Sequence, residues 1–137
     1  MIYSLKKIVD SCRRWFDFES RRKALYDCWD EQASQGDTQA AYRLTSLYPA
    51  SPSNYPLAYK WTLALANQAQ DCRILLQLAK MLETGAGVEP DEKRALIWYE
   101  RTLSLHILQG QNSPFSVSEA NFVQGKIQAL RGKTGWK

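Results

Sequence analysis

This sequence of 137 residues holds one histidine, His106, and three cysteines, Cys12, Cys28 and Cys72, at spacings that match no metal-ligand pattern. Without a cluster of His, Cys and Asp, a metal site has no donor set. Without a cysteine motif near the histidine, a nucleophile and base have no signature. A lone histidine near a helix end suits the negative end of the helix dipole. An odd number of cysteines reads as three small buried apolar residues in a reducing compartment. Long apolar runs are missing as well. Lys6, Lys7 and Asp10 break the N-terminal MIYSLKKIVDSCRRWF, which denies it the apolar stretch of a signal peptide, and no segment reaches the length of a membrane span. The expected location is cytoplasmic. Period-two alternation occurs nowhere, so no strands are expected.

What is present is a globular composition, 45% apolar and 12% aromatic, with a net charge of +4. That basic excess permits an acidic partner without demanding one. The apolar residues recur at helical spacing, and seven helices are expected. The first places Leu5, Ile8, Val9, Cys12 and Trp15 or Phe16 on one stripe. The second starts at a Ser20 cap, carries Ala24, Leu25, Cys28 and Trp29, and ends at Gly36. Asp37 caps a third through Ala40, Ala41, Leu44 and Leu47 to Tyr48. Pro49 to Pro56 is a loop, with Pro56 in the first turn of the fourth helix through Ala58, Trp61 and Leu65. Asp71 opens a fifth and Asp91 a sixth. Ser116 and Glu119, spaced as a capping box with Phe115 just outside, open the last, through Phe122, Ile127 and Leu130.

These helices repeat. Leu44 and Tyr48 recur 34 residues later as Leu78 and Leu82, and Ala58 and Trp61 recur 37 residues later as Ala95 and Trp98. Asp37 and Asp71 share the shorter offset. A period in the mid-thirties, one helical hairpin long, marks an α-solenoid.

The stretch LAKMLETGAGVEPDEKRALIWY holds the one glycine pair that a phosphate could claim. Gly85-Ala86-Gly87 lacks the Gly-Lys-Ser or Gly-Lys-Thr of a Walker loop, and lacks the strand and third glycine of a dinucleotide loop. It reads instead as a hairpin bend: Gly85 closes the fifth helix with a left-handed residue, Gly87 reverses the chain, Val88 turns into the core and Asp91 caps the sixth helix. Leu78, Ala79, Leu82, Gly85, Gly87, Val88, Asp91, Ala95, Trp98 and Tyr99 together resemble one nearly complete Sel-one-like repeat, a relative of the tetratricopeptide repeat. Gly36 to Ala69 resembles a degenerate one, keeping Asp37, Ala40, Leu44, Tyr48, Ala58 and Trp61. The resemblance implies an all-α, right-handed stack of antiparallel hairpins serving as a protein-binding scaffold. Its parts would be N-terminal capping helices over 1–35, repeats over 36–70 and 71–106, a C-terminal capping helix over 107–131 and a mobile tail over 132–137. It further implies a concave binding face on the first helix of each pair, made of Gln39, Tyr42, Arg43 and Ser46 and then Arg73, Leu76, Gln77, Lys80 and Glu83. Tyr42 and Leu76 would be the anchors, and Arg43, Arg73 and Lys80 the charge readers. An immunity or inhibitor protein masking a toxin or effector is one version of that role; an adaptor in secretion or signalling is another.

Catalysis and cofactors are not expected. Carboxylate pairs such as Asp30-Glu31 and Asp91-Glu92 fall at helix ends or on solvated faces. Trp15, Trp29, Trp61 and Trp98 read as core, against a stacking platform for single-stranded nucleic acid. Arg13, Arg14, Arg21, Arg22 and Lys23 gather at the junction of the first two helices, where an acidic protein, nucleic acid or an anionic membrane surface could bind. A membrane-lying helix requires its apolar stripe to stay unburied; the expectation is that this stripe is consumed as the N-terminal cap of the stack.

Overall fold

In the computed structural model, residues 2–68 and 71–135 are described, and among them every regular element is a helix. The six α-helices are α1 (Ile2–Ser34), α2 (Thr38–Thr45), α3 (Tyr55–Gln68), α4 (Cys72–Thr84), α5 (Glu92–Gln109) and α6 (Val117–Thr134). Short 3₁₀ turns cover Pro52–Asn54 and Gly110–Asn112. The count differs from seven because the first two expected helices are one continuous helix of 33 residues. Ser20 has the chemistry of a cap, but no glycine or proline stands anywhere between residues 1 and 35 to end the helix before it. By packing, the chain divides into two compact units, Met1–Ala41 and Tyr42–Lys137.

In the first unit α1 buries Tyr26 and Ala33 but exposes the N-terminal stripe that was expected to be core. Cys12 and Cys28 are exposed with it, so of the three cysteines Cys72 alone is buried. Gly36 leaves α1 at φ 103°, and the Asp37 N–H returns to the Gln32 carbonyl. The Asp37 carboxylate then accepts the N–H groups of Gln39 and Ala40, as a cap for α2 requires.

In the second unit α3 packs on α4, α4 on α5 and α5 on α6. Leu78, Met81 and Leu82 of α4, Ala95, Leu96 and Tyr99 of α5, and Val123, Ile127 and Leu130 of α6 form its core. The repeat positions are partly equivalent in burial. Leu44 matches Leu78 and Ala58 matches Ala95 at essentially no exposure, whereas Trp98 is buried and Trp61 only half-buried. Local chemistry sets the boundaries. Asp71 accepts the Arg73 N–H at the head of α4, Asp91 accepts the Arg94 N–H at the head of α5, and Ser116 with Glu119 forms the full capping box of α6. Gly85 closes α4 at φ 81°, with the N–H groups of Gly85 and Ala86 both returned to the Met81 carbonyl. Ala86, not Val88, is the buried residue of this turn.

Two boundaries move from their expected positions. The helix expected to run to Tyr48 ends at Thr45, while α3 begins at Tyr55 with Pro56 in its first turn, as expected. The last helix continues through residue 134 to a left-handed Gly135, so residues 132–134 are helical, and Trp136 lies outside the described residues.

Candidate groove between α4 and α6

A groove of about 610 Å³ lies in the second unit, between the outward face of α4 and the first turns of α6. Arg73, Leu76, Gln77 and Lys80, at spacings of three and four, put one face of α4 along one wall. Phe115, Ser118, Glu119 and Phe122 supply the facing wall, and Tyr48 with Pro49 closes one end. The capping box fixes where α6 begins, and therefore where Phe115 and Phe122 stand. Phe122 is 45% exposed although its spacing resembles core. Its ring lies 5.2 Å from the Lys80 ammonium and 5.9 Å from that of Lys126, so two cations approach one ring. The lining is mainly apolar, with Tyr48, Pro49, Leu76, Phe115 and Phe122, and carries two cations, Arg73 and Lys80, and one carboxylate, Glu119.

A cluster of charged and polar groups holds α6 against α4 and α5 beside it. Lys126 Nζ donates to Glu83 Oε1 at 2.9 Å, and the Tyr99 hydroxyl donates to Glu83 Oε2 at 2.5 Å. Burial by itself would raise the Glu83 carboxyl, but the bonds from Lys126 and Tyr99 outweigh it and hold the carboxyl below its ordinary value. Burial first, then the bond to Glu83, push the Tyr99 hydroxyl far above its ordinary value. Arg131 to Glu100 at 2.6 Å and Lys133 to Glu92 at 2.6 Å add two more solvated ties from α6 to α5.

The residues expected to bind thus have different fates. Arg73, Leu76, Gln77 and Lys80 share the groove; Tyr42, Arg43 and Ser46 do not line it. Gln39 belongs to the first unit. Gln77 is partly spent on structure, because its amide donates to the Thr45 carbonyl at 2.9 Å and to Thr62 Oγ1 at 3.1 Å. Glu83 is committed to Lys126 and Tyr99. Phe115, Ser118, Glu119, Phe122 and Tyr48 were missed as site residues. The signals for α6 were the capping box, which speaks of where a helix starts, and the spacing of Phe122, Ile127 and Leu130, which placed Phe122 in the core.

The basic cluster of α1 also differs from its expected form. On one continuous helix Arg14 and Arg21, seven apart, share a side, while Arg13, Arg22 and Lys23 point elsewhere around the axis. Arg22 donates to the Tyr26 hydroxyl, forms an ion pair with Glu19 at 3.4 Å and lies 5.4 Å from the Phe18 ring.

His106 stands beside the connection from α5 to α6. Its Nδ1 is 2.6 Å from Ser113 Oγ, and its ring lies 5.7 Å from that of Phe115. Ser113 Oγ also accepts the Phe115 N–H at 3.3 Å, so the trio shapes the entry to α6. Burial pushes the Cys72 thiol up, away from the thiolate that a nucleophile needs. Among the described residues there is no group of three or more His, Cys, Asp or Glu placed to hold a metal ion.

No family model and no curated protein matches this chain.

Proposed function

We propose that the chain is a non-catalytic protein-binding scaffold, a short α-solenoid of the Sel-one-like kind, whose second unit captures a protein segment in the groove between α4 and α6. The groove is the observation that carries this reading. Its apolar lining of Leu76, Phe115 and Phe122 suits an aliphatic or aromatic side chain, and Arg73 and Lys80 suit a neighbouring carboxylate. The packing of each helix from α3 to α6 on its neighbour in sequence supports a stack of hairpins. An inhibitor masking a toxin or effector and an adaptor in secretion or signalling would both use such a groove.

Affinity capture from the native host, read by mass spectrometry, tests the reading when the wild type is run beside Leu76→Ala with Phe122→Ala. Both side chains are at least partly solvent-facing, so the variant is expected to retain its helical circular dichroism while losing the prey. Retention of every prey by the variant removes the groove from the argument. A single prey encoded beside this chain supports the inhibitor form, and several unrelated prey support the adaptor.

A further inference from the structure

The N-terminal half of α1 carries its largest apolar side chains on the outside. Leu5, Ile8 and Val9 are 63%, 59% and 48% exposed, and Trp15 and Phe16 are 65% and 66% exposed. At 3.6 residues per turn, these five and Cys12 occupy a sector about 120° wide along roughly 18 Å of helix. Beyond Phe16 the same sector is taken by Glu19 and Lys23. The stripe is short, continuous and confined to one face.

Charge decides what such a stripe fits. Between Leu5 and Phe16 stand Lys6, Lys7, Arg13 and Arg14 against a single acid, Asp10. A second copy laid antiparallel along the stripe would set Lys6 and Arg13, which border it, against Arg13 and Lys6 of the other copy, a like-charge pairing that opposes association. The stripe also stops at Glu19, before it supplies the three or four heptads of a coiled coil. Nucleic acid would use the cations and leave Leu5, Ile8 and Val9 in water. An anionic lipid surface uses both sets. Lys6 and Arg13, seven apart, border the stripe on the Val9 side, where their stems lie along apolar surface and their charges reach the phosphates. Lys7 and Arg14 lie across a helix about 10 Å wide, about one Debye length from the headgroups. Trp15, at the other edge, has the amphipathic ring favoured at the headgroup level.

We propose that the segment from Ser4 to Phe16 of α1 is an interfacial helix that lies in the headgroup layer of an anionic membrane. No described helix is long and apolar enough to cross a membrane; the proposal is for a helix lying along one. It is independent of the groove and stands or falls apart from it.

Co-sedimentation of the full chain with vesicles of phosphatidylcholine, with and without phosphatidylserine, at low and physiological salt tests it. Binding is expected to the phosphatidylserine vesicles and to weaken as salt rises. Trp15→Glu with Phe16→Glu is expected to lower the partition about tenfold or more, because it removes two inserted aromatic rings and adds two repelled charges. Arg13→Glu with Arg14→Glu should also lower it and flatten the salt dependence. All four positions are exposed, so circular dichroism should stay that of the wild type. Absence of sedimentation at low salt overturns the proposal. So does unchanged binding by the Trp15 and Phe16 variant. A dimer in sedimentation velocity that this variant dissociates, without vesicle binding, assigns the stripe to a second copy and overturns it as well. RNA binding in a gel shift with no vesicle binding does the same.

Discussion

A methyl group added at either glycine of the α4–α5 turn meets a different wall. At Gly85 the new Cβ would come 2.6 Å from Pro90 Cγ, a ring edge that can shift. At Gly87 it would sit 2.7 Å from Pro56 N and closer still to the Tyr55 carbonyl, which are backbone atoms at the start of α3 and cannot turn away. Both residues also have positive φ, 81° and 75°. Gly85→Ala should therefore cost on the order of 1 kcal/mol or somewhat more for the left-handed conformation and the proline contact. Gly87→Ala should cost about 3 kcal/mol, because overpacking against backbone is added to the same conformational strain. Chemical denaturation of the two variants beside the wild type measures the order. Equal losses would show that the contact with the α3 entry is not sensed, and the hairpin would then be held by conformation alone. The glycines serve packing at two distances: Gly85 ends its own helix, and Gly87 lets another helix approach.

At the scale of helices, α6 is held to α4 and α5 by core side chains and by the cluster at Glu83. The Glu83 carboxyl titrates below its ordinary value of 4.5, so its ionised form contributes stability that is fully present above about that pH and is lost as pH falls toward its lower folded value. Tyr99 acts at the other end of the scale. Its hydroxyl titrates above its ordinary 10.0, so above that pH the unfolded chain loses the proton first and stability falls. In urea titrations across pH, the stability gap between wild type and Glu83→Gln should be widest near neutrality and should narrow below about pH 4.5. Tyr99→Phe should remove part of the alkaline loss. A gap independent of pH would mean that the glutamate contributes by shape and not by charge. This element was only half legible in the sequence. The ends of the helices were readable because caps act within a few residues: Asp37, Asp71, Asp91, Gly85 and the Ser116–Glu119 box each state their own boundary. The side that a helix turns to its neighbour was not, because Phe122 at core spacing is an exposed groove wall and Ser20 with cap chemistry lies within α1. Facing depends on elements far away in sequence, and periodicity does not name them. The α4 half of the groove was recoverable because a repeat pattern distinguishes its outer face from its core face; the α6 half follows no repeat.

At the scale of the whole molecule, the division at Ala41 cuts through α2, whose residues Thr38–Thr45 straddle it. A truncation that begins at Tyr42 would remove the Asp37 cap and leave an uncapped four-residue stub, whereas one that begins at Gly36 keeps the cap and the whole of α2. The second unit has its own successive packing of α3, α4, α5 and α6 and the cross-helix pairs Glu83–Lys126, Glu100–Arg131 and Glu92–Lys133. All the residues that line the groove lie in it. A chain starting at Gly36 is therefore expected to unfold in one cooperative thermal transition and to capture the same prey as the full chain, with helical signal reduced by the share of α1. A chain starting at Tyr42 should melt at a lower temperature by the loss of one cap, roughly 1 kcal/mol. Differential scanning calorimetry of the two truncations, together with the affinity capture, makes the comparison. A broad, non-cooperative melt for the chain starting at Gly36 would mean that its core is incomplete without α1, and α1 would then be a structural cap as the repeat pattern first implied. A cooperative melt leaves the 33 residues of α1 to be explained by what they contact outside this fold.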